Sequence, residues 1–246
     1  MAKTHEALLK AQKESKMNYL EPVRRDEKAL VSAIDEGGLI GPTPEWCKEI
    51  KARLNTQYSD EKVKSIIFTS TKRGSGCSRT AVGFAISLSK AYNHRVLLID
   101  ANLKNPGIHK FFNSPDTYGL FDVFFNNNTT IDKRTRERLF VITCNGDHAA
   151  EVDGVLGSNR FEKFLSKMRE RFDYIILDGP PVTTNPEIRF ISSKVDGTIL
   201  MIESGKTRRH VALKAKQEIE MASGQLLGTV LNRRKYYIPG WIYRRL

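Results

Sequence analysis

The feature that most constrains the fold of this chain is an apolar run followed by a glycine-rich turn and a helical pattern, at residues 65–80. Residues 65–70 are largely β-branched and aromatic, which predicts a buried strand. Gly74 and Gly76 then precede a helical pattern over residues 80–92. A strand, such a turn and a helix N-terminus direct successive backbone N–H groups at one anion, so the stretch predicts a phosphate-binding loop.

One residue departs from the usual sequence of such loops. In G-x-x-x-x-G-K-[ST] a lysine follows the last glycine, whereas Cys77 stands at that position here. The loop therefore has the sequence of a phosphate cradle without its principal cation. The residues predicted to contact the phosphates of a nucleotide are Lys72, Arg73, Gly74, Ser75, Gly76, Cys77, Ser78 and Arg79.

Composition indicates the broad class of the protein. The 246 residues can form one domain with a substantial core and additional segments. No run approaches the roughly 18 apolar residues of a membrane span, and no apolar core of a signal peptide is present, so we expect a cytoplasmic protein. Three cysteines without a C-x-x-C pair argue against a zinc or disulfide framework. The net charge of +12 predicts an acidic partner (nucleic acid, an anionic membrane face or a nucleotide) or simply a lysine-rich solvated surface.

The region before residue 45 predicts an arm and a linker. Residues 4–19 have helical character but are too short and polar to be a stable isolated helix. Residues 20–44 contain several prolines and glycines, which is typical of a linker. We therefore expect residues 1–44 to form an arm that becomes ordered only against a partner, and the domain to occupy residues 45–231.

The domain is predicted to begin with a helix at residues 44–59. An apolar face of this helix recurs at four-residue spacing and comprises Trp46, Ile50 and Leu54. A charged face beside it recurs at three-residue spacing and comprises Glu45, Lys48 and Lys51. The charged face is either solvated or bridges to another subunit.

From residue 64 onward, apolar runs alternate with helical patterns, which predicts an α/β fold: a doubly wound, mostly parallel sheet with helices on both faces. The predicted strands are 65–70, 95–99, 139–143, 173–178, 197–202 and 227–231. The predicted helices lie near 78–92, 106–125 (broken), 158–171, 187–193 and 207–223. Ligands of such sheets bind at the carboxyl ends of the strands, which selects the loops after residues 70, 99, 143 and 178.

Two aspartates stand at strand ends that this rule selects. Asp100 ends the run at residues 95–100, and Asp178 ends the run at residues 173–178. A carboxylate across from a phosphate loop can bind Mg²⁺ or its waters, or accept a proton. We therefore predict Asp100 and Asp178 as catalytic residues and, with the Ser78 hydroxyl, as Mg²⁺ ligands. The alternative is that each aspartate only caps the loop that follows it.

These motifs, in this order and spacing, resemble those of the bacterial tyrosine autokinases of capsule and exopolysaccharide loci, within the MinD- and ParA-like deviant P-loop ATPases. The resemblance covers nearly the whole chain from residue 45 onward. Besides the phosphate loop, it rests on residues 97–106 and 172–181, Gly119-Leu-Phe-Asp-Val, Val195-Asp-Gly-Thr, Gly205-Lys-Thr207 and Leu231-Asn-Arg-Arg. It implies a fold of the P-loop NTPase type, ATP or ADP and Mg²⁺ as ligands, and phosphoryl transfer to tyrosine.

The chain departs from this family at two positions of the nucleotide site. Cys77 replaces the loop lysine, and Asn102 replaces an aspartate of the second motif. A thiol cannot make charge-assisted bonds to the β- and γ-phosphates, so we expect the use of ATP and Mg²⁺ to be impaired or lost. Lys72, which aligns with an additional lysine of MinD and ParA relatives, or Arg79 could replace the missing charge; alternatively both are solvated. Cys77 itself is either a thiolate of low pKa at a helix N-terminus or a neutral small residue.

Residues 232–246 predict a basic tail that has five basic residues and no acidic ones. The family resemblance identifies as candidate phosphorylation sites Tyr236, Tyr237 and Tyr243. Each phosphate there would add negative charge to a basic segment. Two other roles stay open: docking of Ile238, Trp241 and Ile242 on a membrane surface, or packing of the segment onto the domain.

Three functions fit these observations. The first is a diverged tyrosine-autokinase-like protein, impaired in its use of ATP, that regulates or scaffolds polysaccharide polymerisation and export. The resemblance implies that such a protein binds the cytoplasmic face of a chain-length-determining membrane protein, lies at the inner face of the membrane and forms homo-oligomers. The second is an active ATP-dependent tyrosine autokinase of the same pathway. The third is a ParA-like positioning ATPase that binds DNA or membrane; the tyrosine-bearing tail favours the first two, so nucleic acid is not the expected partner.

Overall fold

The computed structural model describes residues 45–57, 63–112, 119–125, 132–133, 138–144 and 149–233. The predicted arm and almost all of the predicted tail, including its three tyrosines, lie outside these residues. Within the described ranges, no helix combines the length and the apolar character needed to cross a bilayer.

The described residues form one helix followed by strands and helices in alternation. The strands are β1 (Ser65–Ser70), β2 (Val96–Asp100), β3 (Asp132–Lys133), β4 (Leu139–Ile142), β5 (Tyr174–Asp178), β6 (Gly197–Glu203) and β7 (Leu226–Asn232). The helices are α1 (Glu45–Gln57), α2 (Cys77–Ala91), α3 (Ile108–Phe111), α4 (Leu120–Phe125), α5 (Ala149–Leu156), α6 (Asn159–Arg171), α7 (Glu187–Ser192) and α8 (Arg209–Met221).

All seven strands belong to one sheet, in the order β3-β4-β2-β5-β1-β6-β7. The short β3 pairs antiparallel with β4, and the other neighbouring strands are parallel. The carboxyl ends of the parallel strands therefore meet at one edge of the sheet, where ligands of such folds bind. The predicted doubly wound α/β fold is confirmed.

Apolar cores lie on both faces of the sheet because successive side chains of a strand point in opposite directions. In β1, Ile66 and Phe68 pack in the core that includes residues of α1 and α2. Ile67 packs in the opposite core, with residues of α6, α7 and α8. Every residue of β1, β2 and β5 is buried, as expected for central strands that are covered on both faces.

The six strands and the main helices predicted from the sequence are present, with ends that differ by one or two residues. The broken helix predicted at 106–125 corresponds to α3 and α4. Neither β3 nor α5 was predicted from the sequence. Both are short: β3 has two residues, and α5 has eight residues that include Gly154, a weak helix former.

The prediction of a solvated or intersubunit charged face on α1 is wrong for Lys51. Its side chain is buried, and its ammonium group donates a hydrogen bond to the hydroxyl of Tyr174 in β5. The same ammonium lies 4.7 Å from the centre of the Tyr174 ring. The aliphatic stem of Lys51 therefore packs against the sheet while an aromatic face and a hydroxyl accommodate its charge.

Asp196 ties the amino ends of β1 and β6 together. Its Oδ2 accepts hydrogen bonds from the backbone N–H groups of Lys64 (2.9 Å) and Ser65 (2.7 Å), and from the Ser65 hydroxyl (2.8 Å). Its Oδ1 lies 2.8 Å from the guanidinium of Arg169 in α6. One carboxylate therefore fixes two strands and a covering helix at the end of the sheet opposite the predicted site.

Replacing Asp196 by alanine should lower the free energy of unfolding by about 2–3 kcal/mol, because two backbone N–H groups and the Ser65 hydroxyl lose this acceptor and the Arg169 guanidinium loses its carboxylate partner. Urea denaturation measures this change. Glu49→Ala is the control, since it breaks an exposed pair with Arg53 within α1 (3.2 Å) and should cost no more than about 0.5 kcal/mol. Equal losses in the two variants would contradict the structural role of Asp196.

Candidate functional site

The predicted phosphate loop connects β1 to α2 through a turn shaped by glycine. Gly74 and Gly76 have φ angles of 81° and 85°, in the left-handed region that glycine adopts without strain. The Ser75 hydroxyl donates to the carbonyl of Lys72 (2.8 Å) within the loop. Helix α2 begins at Cys77 with no acidic residue in its first turn, and no side chain of the described residues caps it. The amino end of α2 therefore presents backbone N–H groups and positive dipole charge to the loop.

Asn232, the last residue of β7, holds this loop from the side. Its amide Nδ2 donates to the carbonyl of Ser75 (2.8 Å). A Cβ atom on Gly76 would collide with that amide, so the close approach requires glycine. Asn232 belongs to one of the motifs that carry the family resemblance, but no role was predicted for it. A polar residue directly after an apolar strand, at the same edge as the aspartates, was the signal that could have identified it.

Asp100 and Asp178 lie side by side, because they are paired residues of the neighbouring strands β2 and β5. Both carboxylates are fully buried. Asp100 is occupied by its own loop: its Oδ1 accepts the backbone N–H of Asn102 (3.2 Å), and its Oδ2 accepts those of Gly107 and Ile108 (2.9 Å each). Asp100 therefore orders the loop that follows β2.

Asp178 has no comparable partners. Both of its oxygens are buried and accept no well-formed hydrogen bond from the described residues. Burial, followed by the negative charge of Asp100, raises the pKa of Asp178 to about 8, although the nearby side chains of Ser78 and Cys77 favour its charged form. Burial also raises the pKa of Asp100 to about 6, against the effect of its three backbone donors. The pair therefore holds one proton near neutral pH.

Cys77 lies against Asp178 and is nine-tenths buried. Burial raises the pKa of its thiol well above the usual value, and the charge of Asp178 raises it further. The alternative of a low-pKa thiolate is therefore wrong. The dipole of α2 does not prevail because the sulfur faces a buried carboxyl group instead of water. The position of the loop lysine is occupied by a neutral thiol.

The residues around Asp178 fit Mg²⁺ in their chemistry. Mg²⁺ prefers oxygen ligands and commonly takes one or two carboxylates together with phosphate oxygens and waters. Asp178 offers a buried carboxylate without hydrogen-bond donors, and the neighbouring Ser78 offers a hydroxyl beside the Gly107 backbone. Within the described ranges, no group of three or more His, Cys, Asp and Glu residues could hold a metal ion by itself. A magnesium ion here would therefore depend on the phosphates of a nucleotide.

Lys72, one of the two cations predicted to replace the missing lysine, is already bound to a carboxylate. Its ammonium lies 2.9 Å from Glu203, a buried residue at the end of β6. Glu203 also binds Lys206 (2.9 Å) and Arg233 (3.2 Å). Hydrogen bonds from Lys72 and Lys206, with a smaller effect of Arg233, lower the pKa of Glu203 to about 2. Compensation by Lys72 would require its release from Glu203. This ion pair was not predicted from the sequence.

The remaining predicted site residues differ in their placement. The structure brings together Cys77, Ser78, Asp100 and Asp178 at the carboxyl edge of the sheet. Arg73 and Arg79 are exposed. Asn102 is half-buried, and its side-chain carbonyl has no hydrogen-bond partner among the described residues. The roles assigned to these residues in nucleotide binding and catalysis stay predictions.

Comparisons with known proteins give consistent results. A family model described as ParA, NUBPL iron-transfer P-loop NTPase, matches residues 62–240. Tyrosine-protein kinase CpsD of Streptococcus agalactiae is 30% identical over 184 residues, which cover 74% of this chain and 80% of that protein. Tyrosine-protein kinase YwqD of Bacillus subtilis is 28% identical over 194 residues, covering 78% and 81% respectively. The crystal structure of the chimerical protein CapA2B2 superposes with a TM-score of 0.74 at 23% identity, covering 92% of this chain and 99% of that one, and supports the fold.

Replacing Asp178 by asparagine should change how stability depends on pH. The pKa of this carboxyl is about 8 in the folded protein and about 4 in an unfolded chain. The folded state therefore binds the proton more tightly, and without nucleotide its stability falls as pH rises from about 4 to 8. Asp178→Asn removes this loss and should raise the free energy of unfolding at pH 8 by roughly 1–3 kcal/mol.

Urea denaturation at pH 5, 6.5 and 8 measures this effect. Glu220→Gln, in which a half-exposed carboxylate on α8 is replaced, is the control and should retain the pH dependence of the unsubstituted protein. If Asp178→Asn also retained that dependence, Asp178 would not be the group that takes up the proton.

Proposed function

The chain belongs to the ParA family of P-loop NTPases and, within it, to the bacterial tyrosine-protein kinases. We propose that it is a diverged member, impaired in its use of ATP, that regulates or scaffolds the polymerisation and export of an extracellular polysaccharide. The observation that carries this proposal is the buried, neutral Cys77 thiol, which lies against Asp178 where the loop lysine would stand. The kinase relatives support the family part of the proposal, and Cys77 supports the impairment.

Part of the machinery for binding a nucleotide remains. The backbone N–H groups of residues 74–78 would hold phosphates, and Ser78 with Asp178 would hold Mg²⁺. Mg²⁺ would neutralise charge on the phosphates. Asp178 is a better candidate than Asp100 for holding Mg²⁺ and for orienting a tyrosine hydroxyl, because the oxygens of Asp100 already accept three backbone N–H groups. Asp100 would instead position the loop after β2.

The missing lysine affects both states of the site. A lysine at residue 77 would pair with Asp178 in the free protein and with phosphate oxygens in the complex. With Cys77, Asp178 takes a proton instead, and that proton must leave before the carboxylate can bind a metal ion. Weak nucleotide binding therefore has two causes: fewer charge-assisted bonds to phosphate, and the cost of deprotonating Asp178.

The proposed partner is the cytoplasmic face of a membrane protein that determines polysaccharide chain length, with the chain acting at the inner face of the membrane as a homo-oligomer. The family resemblance supports this partner. A net charge of +12 favours a position beside an anionic membrane. A regulator that acts by contact would not require a complete phosphoryl-transfer site.

Calorimetric titration with ATP or ADP in the presence of Mg²⁺ tests the proposal. We expect weak or undetectable binding to the unsubstituted protein and binding about 10- to 100-fold tighter to Cys77→Lys, since a hydrogen bond to a charged group contributes about 1.5–3 kcal/mol. Cys77→Ala is the matched control; it removes the thiol without adding charge and should bind no better than the unsubstituted protein.

The opposite result would establish the active kinase. The unsubstituted protein would then bind nucleotide as tightly as Cys77→Lys and would transfer phosphate to Tyr236, Tyr237 or Tyr243 in a reaction abolished by Asp178→Asn. That outcome would overturn the impairment and leave the family assignment intact.

A further inference from the structure

A groove between α1 and β7 takes no part in the nucleotide site. Its volume is about 370 Å³. Its apolar lining comprises Trp46, Ile50, Leu54, Ile199, Leu227 and Val230. Trp46, Ile50, Leu227 and Val230 are only partly buried, so a row of apolar side chains meets solvent here. A surface of this kind indicates a docking site.

The groove lies along an open edge of the sheet. Strand β7 pairs with β6 along one side, from Leu226 to Asn232, and is the last strand of the sheet in the described part of the chain. Its outer side therefore presents backbone N–H and C=O groups that pair with no described strand. Such an edge accepts a further strand. Apolar side chains beside a row of backbone groups suit an extended peptide.

The chain itself leaves β7 beside this groove and turns at once. Arg233, the next residue, has a φ angle of 56°, in the left-handed region typical of turns. The turn is fixed at two points: the Arg233 N–H donates to Oδ1 of Asn232 (2.8 Å), and its guanidinium lies 3.2 Å from Glu203. A turn at this point would allow the residues after 233 to run back along the outer side of β7.

The residues that follow have the side chains that the groove requires. Residues 234–246 contain Ile238, Trp241 and Ile242 among tyrosines, a composition that favours extended structure at a sheet edge. Strand β7 has seven residues. Extended segments have the same rise per residue, so a segment of equal length running back beside β7 would span the same distance and reach the α1 side chains. Pro239 lacks an N–H group and is tolerated on an edge strand.

We propose that residues 234–246 fold back along β7 and dock in this groove, where Ile238 and Trp241 pack against Trp46 and Ile50. The docking involves no nucleotide, so it holds whether or not the proposed function does. A cavity of about 370 Å³ admits a few side chains. A second copy of the chain would have to bury a much larger surface to bind stably, on the order of 800 Å² per partner. Docking would hold the tail tyrosines at the sheet edge instead of leaving them free.

Tryptophan fluorescence of the full chain tests this docking. The chain has two tryptophans, so in a Trp46→Phe background Trp241 is the only emitter. We expect a blue-shifted emission that acrylamide quenches far less than in the urea-unfolded protein. Ile50→Asp, which places a charge in the groove at a partly buried position of α1, should remove this shielding, and circular dichroism would verify that the fold is intact. Leu213→Asp on α8, at a leucine that is 46% exposed on the opposite face of the sheet, is the matched control and should leave the shielding unchanged.

Three outcomes would overturn the proposal. The first is quenching of Trp241 in the folded protein equal to that in urea. The second is shielding that disappears on dilution together with a change in molar mass by light scattering, which would make a second copy the occupant. The third is shielding that is present only with vesicles of anionic lipid, which would make the segment a membrane anchor. Shielding that is independent of concentration and lost in Ile50→Asp alone supports docking within one chain.

Discussion

A buried carboxylate without a counter-ion determines the chemistry of this protein's candidate nucleotide site. Asp178 ends a central strand whose other residues are all buried, so its charge cannot be solvated by water. A lysine in the phosphate loop would neutralise that charge, whereas Cys77 cannot. Burial, followed by the negative charge of Asp100, therefore raises the pKa of Asp178 to about 8, and a proton neutralises the carboxylate instead. The neutral thiol and the protonated carboxyl are therefore compatible with each other.

The two aspartates of the site show how environment separates residues of the same type. Asp100 and Asp178 are paired across adjacent strands and are equally buried. The loop after β2 folds back so that three backbone N–H groups reach Asp100, and none of these donors reaches Asp178. Asp100 therefore holds the loop after β2 in place, whereas both oxygens of Asp178 stay without such donors.

The sequence was sufficient to predict six of the seven described strands and the edge of the sheet where Asp100 and Asp178 meet. Apolar runs that alternate with helical patterns allow one sheet architecture, and parallel strands align their carboxyl ends. Contacts between distant parts of the chain were not predictable. Lys51 was assigned to an exposed or intersubunit face because its partner, Tyr174, lies 123 residues away. The bond from Asn232 to the phosphate loop spans 157 residues, and the ion pairs of Glu203 likewise join separate segments. Periodicity and local motifs carry no information about such pairs.

The most direct test of this account is an NMR titration of the Asp178 carboxyl carbon, in the nucleotide-free protein and in Cys77→Lys. We expect the carboxyl to titrate near pH 8 in the unsubstituted protein. In the variant, an ammonium group carried by residue 77 beside Asp178 should lower the pKa of that carboxyl by about 1–3. A carboxyl that titrates near pH 4 in the unsubstituted protein, or one that Cys77→Lys does not shift, would contradict the claim that Asp178 lacks a counter-ion because residue 77 is cysteine.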